Sequence, residues 1–265
     1  MDGLFKLWSD SLRLGMAATG CPEGSVPSLG VPFYGWLFRK GDSPFLGGES
    51  AEPFDDAEES FVAEALDEEV ADLSEVEWAE LGQRGKTLGP PGVLPPSLLR
   101  GVACFDDRWG GGKGLLLVGV LRQVYAYLYR RDAGDVIRQI VLDEVADDTR
   151  VLVGHSLGSV VVYDLVRRGL TPAVTTLVTL GSPLAFGTVR RALAASANGT
   201  GVGEVRWSNV HDPWDVVTAG RGLAPRAIDC PVDNGRVDPH ALTRYLGRKE
   251  TGTLILAGTS NGGAQ

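Results

Sequence analysis

The stretch Val151-Leu152-Val153-Gly154-His155-Ser156-Leu157-Gly158-Ser159-Val160-Val161-Val162 decides how this chain folds. Apolar residues run into G-x-S-x-G, and a second apolar segment follows directly. The pattern reads as a buried parallel strand, a tight turn with a serine at its tip, and then a helix: a nucleophile elbow. Backbone at such a tip is strained, so Gly154 and Gly158 leave room where side chains would collide. The helix points its N-terminus at Ser156, where its positive end favours negative charge, and the Leu157 amide is placed to donate to an oxyanion. The alternative is a plain Gly-Ser turn between strand and helix. The flanks favour the elbow. Asp147, Asp148 and Thr149 make a polar turn before the strand, and Gly169 with Pro172 stops the helix after it.

Outward from the elbow, Thr175 to Leu180 is the next strand, closed by the turn Gly181-Ser182-Pro183. Glu204 to Val210 is another. Val31 to Phe38 is a further strand candidate, with Pro32 tolerable near its start. Helical spacing marks residues 3–18, 97–109 (with Ser97 as cap), 115–130, 135–145, 187–197 and 241–246. Strands alternating with helices imply an α/β fold, a mainly parallel sheet covered on both faces. The 265 residues suit one such domain, with 258–265 expected to be a disordered tail.

Residues 41–83 hold fifteen acidic residues and no lysine or arginine. Gly41 to Asp56 reads as an open loop. From Ser60 onward Val62, Leu66, Val70 and Leu73 recur on one face, giving an acidic amphipathic helix. Leu88 to Pro96, with four prolines, reads as a linker. Residues 41–112 are thus expected to be an insert after the Val31–Phe38 strand. Its acidic helix is either a solvated face or part of a mobile lid over a site. Trp109-Gly110-Gly111-Gly112-Lys113-Gly114 is not a phosphate loop: Asp107 stands where a glycine is needed, and Gly114 where a serine or threonine is needed. It reads as a flexible loop.

A net charge of −9 argues against nucleic acid and anionic membrane as partners. No apolar run approaches 18 residues and no basic segment opens the chain, so the expectation is a cytoplasmic protein with no integral membrane segment. Cys21, Cys104 and Cys230 are widely spaced and odd in number, as in a protein with reduced thiols. Nothing in the sequence sets a base beside any of them.

A serine needs a base to become a nucleophile, and the base needs an orienting acid. The chain has three histidines. His155 adjoins Ser156 and should leave the elbow in another direction, to pack or hydrogen-bond nearby. His211 ends a strand. His240 lies in the turn Asp238-Pro239-His240 that opens a helix. The elbow's chain order of serine, acid, histidine favours His240, with His211 the weaker candidate. The acid is Asp212 or Asp215, both at the carboxyl end of a strand, where catalytic groups gather. Asp215 is favoured because it precedes Val216-Val217, whereas Asp212 can cap the turn through Pro213.

These residues resemble the α/β-hydrolase superfamily, nearest to bacterial serine hydrolases akin to lipases and GPI-inositol deacylases. The similar stretches are V-P-F-Y-G at 31–35, G-H-S-L-G-S-V-V at 154–161, L-G-S-P-L at 180–184, N-V-H-D-P-W-D-V-V at 209–217 and P-H-A-L-T-R-Y-L at 239–246. The resemblance implies a small-molecule or lipid ester as substrate, Ser156 attacking its carbonyl, an acyl-enzyme, and no metal or cofactor. A non-catalytic binding module on the same fold, and an acyltransferase, are the rival readings. The resemblance also implies a strand ending in His-Gly, between the strand at 31–38 and that at 151–153, whose loop donates a second oxyanion amide. No His-Gly occurs, and the chain opens at the helix expected after it. The expectation is direct pairing of the two flanking strands, a slot between them, or Leu115 to Leu121 filling that slot. An open slot implies low stability and weak activity.

Overall fold

The computed structural model describes residues 2–38, 53–70, 94–130, 132–196 and 201–260. Its strands are β1 (Val151–His155), β2 (Thr176–Leu180), β3 (Arg206–His211) and β4 (Ile228–Pro231). They form one parallel sheet in the order β1-β2-β3-β4, in register from Val151 opposite Thr176 to His155 opposite Leu180. The fold is α/β, as the alternation predicts. β2 is buried at every position, with strands on both sides and helices on both faces, so its T-L-V-T-L reads as a continuous run.

The helices are α1 (Asp2–Ala18), α2 (Asp56–Val70), α3 (Pro96–Trp109), α4 (Lys113–Tyr129), α5 (Ala133–Leu142), α6 (Leu157–Arg167), α7 (Gly187–Ser196), α8 (Leu242–Leu246) and α9 (Lys249–Ser260). The sheet divides the core in two. Leu152, Leu177 and Trp207 face the larger part, built from α2 to α7. Val178, Leu180 and Val210 face the smaller, built from α1, α8 and α9 with Leu12, Met16, Tyr245 and Ile255. Burying such side chains contributes about 1.5–3 kcal/mol each.

Three expectations are corrected. Val31 to Phe38 is not a strand: residues 31–34 are irregular and Gly35–Phe38 is a 3₁₀ turn. The segment is β-prone but pairs with no strand among the described residues, and propensity alone does not hold a strand. The flanking strands therefore do not pair directly, and Leu115 to Leu121 cannot fill a slot because it lies inside α4. The tail is ordered to Ser260, with Gly258 pressed on the sheet: a Cβ there would lie 2.7 Å from Val151 Cγ2. Residues 261–265 lie outside the described residues.

Of the insert, 53–70 and 94–112 are described, while the rest of the 41–56 loop, Leu73, most of the 88–96 linker and the glycine-rich 198–200 lie outside the described residues. The acidic side of α2 is not a freely solvated face. Glu58 is fully buried against Arg122 at 2.9 Å and Arg130 at 3.1 Å. Glu68 accepts from the Gly187 and Thr188 amides, capping α7. Burial alone would push the Glu68 carboxyl up, but these hydrogen bonds and Arg191 hold it below its ordinary range. Arginines on α4 and α7 thus answer the one-signed charge of the insert. Among the described residues no helix is long and apolar enough to cross a membrane.

Candidate active site

The elbow forms as its glycines require. Ser156 sits at φ +53°, a region a non-glycine residue enters only under constraint. The Ser156 amide donates to the Leu180 carbonyl at 3.1 Å, locking the tip to the end of β2. A Cβ on Gly154 would lie 2.5 Å from the Gly158 carbonyl oxygen and 2.6 Å from Ser159 Cα, so only glycine lets the strand and α6 approach. Ser159 hydroxyl donates back to the Ser156 carbonyl, and Ser182 Oγ lies 2.7 Å from it. Leu157 opens α6, so its amide is among those with no partner inside the helix.

The structure brings three of the candidate residues into one line. His240 Nε2 lies 3.0 Å from Ser156 Oγ, and His240 Nδ1 lies 2.9 Å from Asp215 Oδ2. Asp215 has no exposed surface. Its other oxygen accepts from the Val217 amide at 2.9 Å, and Tyr245 hydroxyl donates to Oδ2 at 2.7 Å. Burial pushes the Asp215 carboxyl up, but hydrogen bonds from His240, Tyr245 and Val217 outweigh it and hold its pKa low. The carboxylate is therefore charged and faces the imidazole.

Asp212, the alternative acid, does different work. Its Oδ1 accepts from the Trp214 amide at 2.6 Å and its Oδ2 from the Asn234 amide. It staples the loop after β3 to the loop that leads to His240. Asn234 continues that staple, its side-chain Nδ2 donating to the Pro239 carbonyl at 2.9 Å. His211 ends β3 with Nδ1 4.0 Å from Asp229, away from this line.

His155 packs against His240. Its Nε2 lies 2.7 Å from the His240 carbonyl oxygen and must donate there, and the two rings are 4.7 Å apart. Burial, with the neighbouring His240, pushes its pKa down to about 3, so it stays neutral. Sequence reasoning missed Tyr245 and Gly181. Gly181 has φ +53°, and a Cβ there would lie 2.9 Å from Asp215 Oδ2 and 3.1 Å from His240 Nδ1. The bend in L-G-S-P therefore clears space for Asp215 and His240 together. The signal for it was the glycine at a strand's carboxyl end. Tyr34 also reaches the elbow: a Cβ on Gly158 would lie 3.2 Å from its hydroxyl. Burial pushes the Tyr34 hydroxyl up to about 12, so it keeps its proton and can donate.

The cysteines do not compete as nucleophiles. All three are free, and burial pushes the Cys104 and Cys230 thiols up, away from thiolate. Among the described residues no three His, Cys, Asp or Glu side chains group as metal ligands would. Chemically, the site offers a hydroxyl within reach of an imidazole, a buried carboxylate behind it, and a helix N-terminus in front. Compared with protein families, with characterised proteins and with solved structures, the chain matches none.

Proposed function

We propose that the chain is a serine hydrolase of the α/β-hydrolase kind, cleaving carboxylic esters, lipid esters included, through an acyl-enzyme. One observation carries this reading: the continuous hydrogen-bonded line from Ser156 through His240 to Asp215, ending on a serine held at positive φ. In the cycle, Ser156 Oγ attacks the ester carbonyl while His240 Nε2 takes its proton. Asp215 accepts from Nδ1–H and stabilises the imidazolium. That imidazolium returns the proton to the departing alkoxide, leaving an acyl ester on Ser156. Water then attacks with His240 again as base, and the carboxylic acid leaves. The Leu157 amide donates to the oxyanion. The Tyr34 hydroxyl, lying against Gly158, supplies a second donor.

The cycle uses side chains of this protein, the Leu157 main-chain amide and water, and the reading includes no metal or cofactor. The three free thiols support a reducing, cytoplasmic setting, and the negative charge supports a small ester rather than nucleic acid as partner. The test is hydrolysis of p-nitrophenyl esters from acetate to decanoate by the wild type and His240→Ala. Saturable turnover that falls by about 10⁶-fold in the variant supports the assignment. A folded wild type that turns over none of them is the result a binding module would give.

A further inference from the structure

This acidic chain gathers positive charge at one concave place. Arg190 on α7, and Arg221 and Arg226 in the crossing from β3 to β4, line one cavity of about 490 Å³. Glu68, in the last turn of α2, closes its wall. Small-molecule sites measure about 300–1,000 Å³, so the space is of ligand size. Ser156, His240 and Asp215 do not line it, and it stands apart from the candidate active site.

Arg190 Nη1 donates to the Leu184 and Ala185 carbonyls, the second at 2.8 Å. Those bonds fix the guanidinium without setting a charge opposite it. Arg221 pairs with Glu69. Arg226 is exposed, and among the described residues neither it nor Arg190 forms an ion pair. Glu68 does not supply the missing charge. Its oxygens accept from the Gly187 amide at 2.7 Å, the Thr188 amide at 2.6 Å and the Thr188 hydroxyl at 2.7 Å, and Arg191 lies 3.0 Å away. The loop that carries Arg226 is fastened: the Leu223 and Ala224 amides donate to Asp229, and the Arg226 amide to the Leu223 carbonyl. Burial, and then the like charges of Arg226, Arg221 and Arg191, push the Arg190 pKa down against the opposite pull of Glu68. Three guanidiniums thus meet at one cavity, and two of them have no carboxylate opposite. An anion seated among them relieves that crowding.

We propose that the Arg190–Arg221–Arg226 pocket binds a phosphate dianion, either free or carried as a monoester on a small organic molecule. The residue type selects the ligand. A guanidinium presents its N–H donors in a rigid plane that matches a pair of phosphate oxygens. A carboxylate brings two oxygens and one charge. A phosphate monoester brings three free oxygens and up to two charges, and so answers the three arginines together. Arg226, which has no side-chain partner to give up, closes on the anion, while Arg190 and Arg221 meet it from positions already held.

The test titrates the full chain at constant ionic strength, followed by calorimetry and by amide NMR. Inorganic phosphate is the probe in one arm and glycerol phosphate in the other, with acetate as the control. Saturable binding to a single site, with Kd at or below about 1 mM in at least one arm and at least about tenfold tighter than acetate, supports the proposal. Tighter binding of glycerol phosphate makes the ligand an organic monoester, and equal or tighter binding of inorganic phosphate makes it the free ion. The amide shifts should centre on Arg190, Gly222 to Ala224 and Arg226. Arg226→Ala should weaken binding by about tenfold or more, and Arg226→Lys, which keeps the charge but loses the fork, by less. Because Arg226 is exposed and unpaired, both variants should keep the wild-type fold. The proposal is overturned by a lack of saturation up to about 10 mM in both arms. It is equally overturned by affinity no better than that of acetate, by shifts centred on Ser156 to Gly158 instead, or by undiminished binding in Arg226→Ala.

Discussion

The ring of His155 holds the backbone of His240: its Nε2 donates to the His240 carbonyl across 2.7 Å, with the two imidazoles 4.7 Å apart and tilted by 33°. His155, next to Ser156, thus positions His240, and it must be neutral in its Nε2–H form to leave His240 free of a neighbouring charge. Its pKa, pushed down to about 3, has a consequence for stability. The unfolded imidazole takes its proton near pH 6.5, whereas the folded one resists until about pH 3. Between these values the unfolded state binds more protons. The contribution is therefore full above pH 6.5 and is lost as pH falls, at up to about 1.4 kcal/mol per pH unit. In urea titrations from pH 7 to pH 4, His155→Asn should lose stability less steeply than the wild type. Because Asn still offers an N–H donor, this variant should keep most esterase turnover, and His155→Phe should lose about tenfold in kcat. Equal pH slopes in wild type and variant would mean that His155 is not buried neutral.

Asp212 and Asp215 should separate cleanly. Asp215 faces the imidazole, so Asp215→Asn should lower kcat by about 10³–10⁴ with the fold intact. Asp212 receives two loop amides, so Asp212→Asn should cost about 1–3 kcal/mol of stability and keep kcat within about tenfold. The reverse pattern would make Asp212 the acid.

Gly181→Ala tests whether the turn after β2 exists to clear the acid–base pair. The new methyl would lie 2.9 Å from Asp215 Oδ2, and the residue would carry φ +53°. Backbone strain of about 1–3 kcal/mol and a displaced His240 should together lower kcat/KM by about 10²-fold or more, while KM moves little. A variant with wild-type kcat would show that the turn tolerates a side chain and does not position the pair.

Tyr34→Phe removes the hydroxyl beside Gly158 and leaves the ring in place. If that hydroxyl donates to the oxyanion, kcat should fall by about 10²-fold with KM nearly constant, since the interaction is strongest in the transition state. A loss confined to KM would place Tyr34 in substrate binding instead.

The parts of this molecule that could be read from sequence were those set by local sterics and chain order. Gly154 announced the elbow because only glycine permits that close crossing, and three histidines left few choices for a base. What escaped reading depends on contacts distant in sequence. Val31–Phe38 has the composition of a strand, yet pairs with none among the described residues. α9, K-E-T-G-T-L-I-L-A-G-T-S, has glycines and threonines that mask its helical period. Those glycines serve the tertiary fit: a Cβ on Gly252 would lie 2.5 Å from the Gly15 carbonyl oxygen, where α1 and α9 cross closely. β4 is short and half exposed, and it is anchored through Asp229, which accepts from Asn209 and from the Leu223 and Ala224 amides. Tyr245 gave no sign because its two partners, Asp215 and the Asp212 amide, lie about thirty residues upstream.

The most direct measurement of the central claim is labelling of the native chain by a fluorophosphonate, with the modified residue located by mass spectrometry. A serine activated by His240 should react stoichiometrically at Ser156, with no labelling in Ser156→Ala and labelling slowed by at least about 10³-fold in His240→Ala. A folded wild type that does not label at Ser156, or a label that persists in Ser156→Ala and maps elsewhere, would contradict the account.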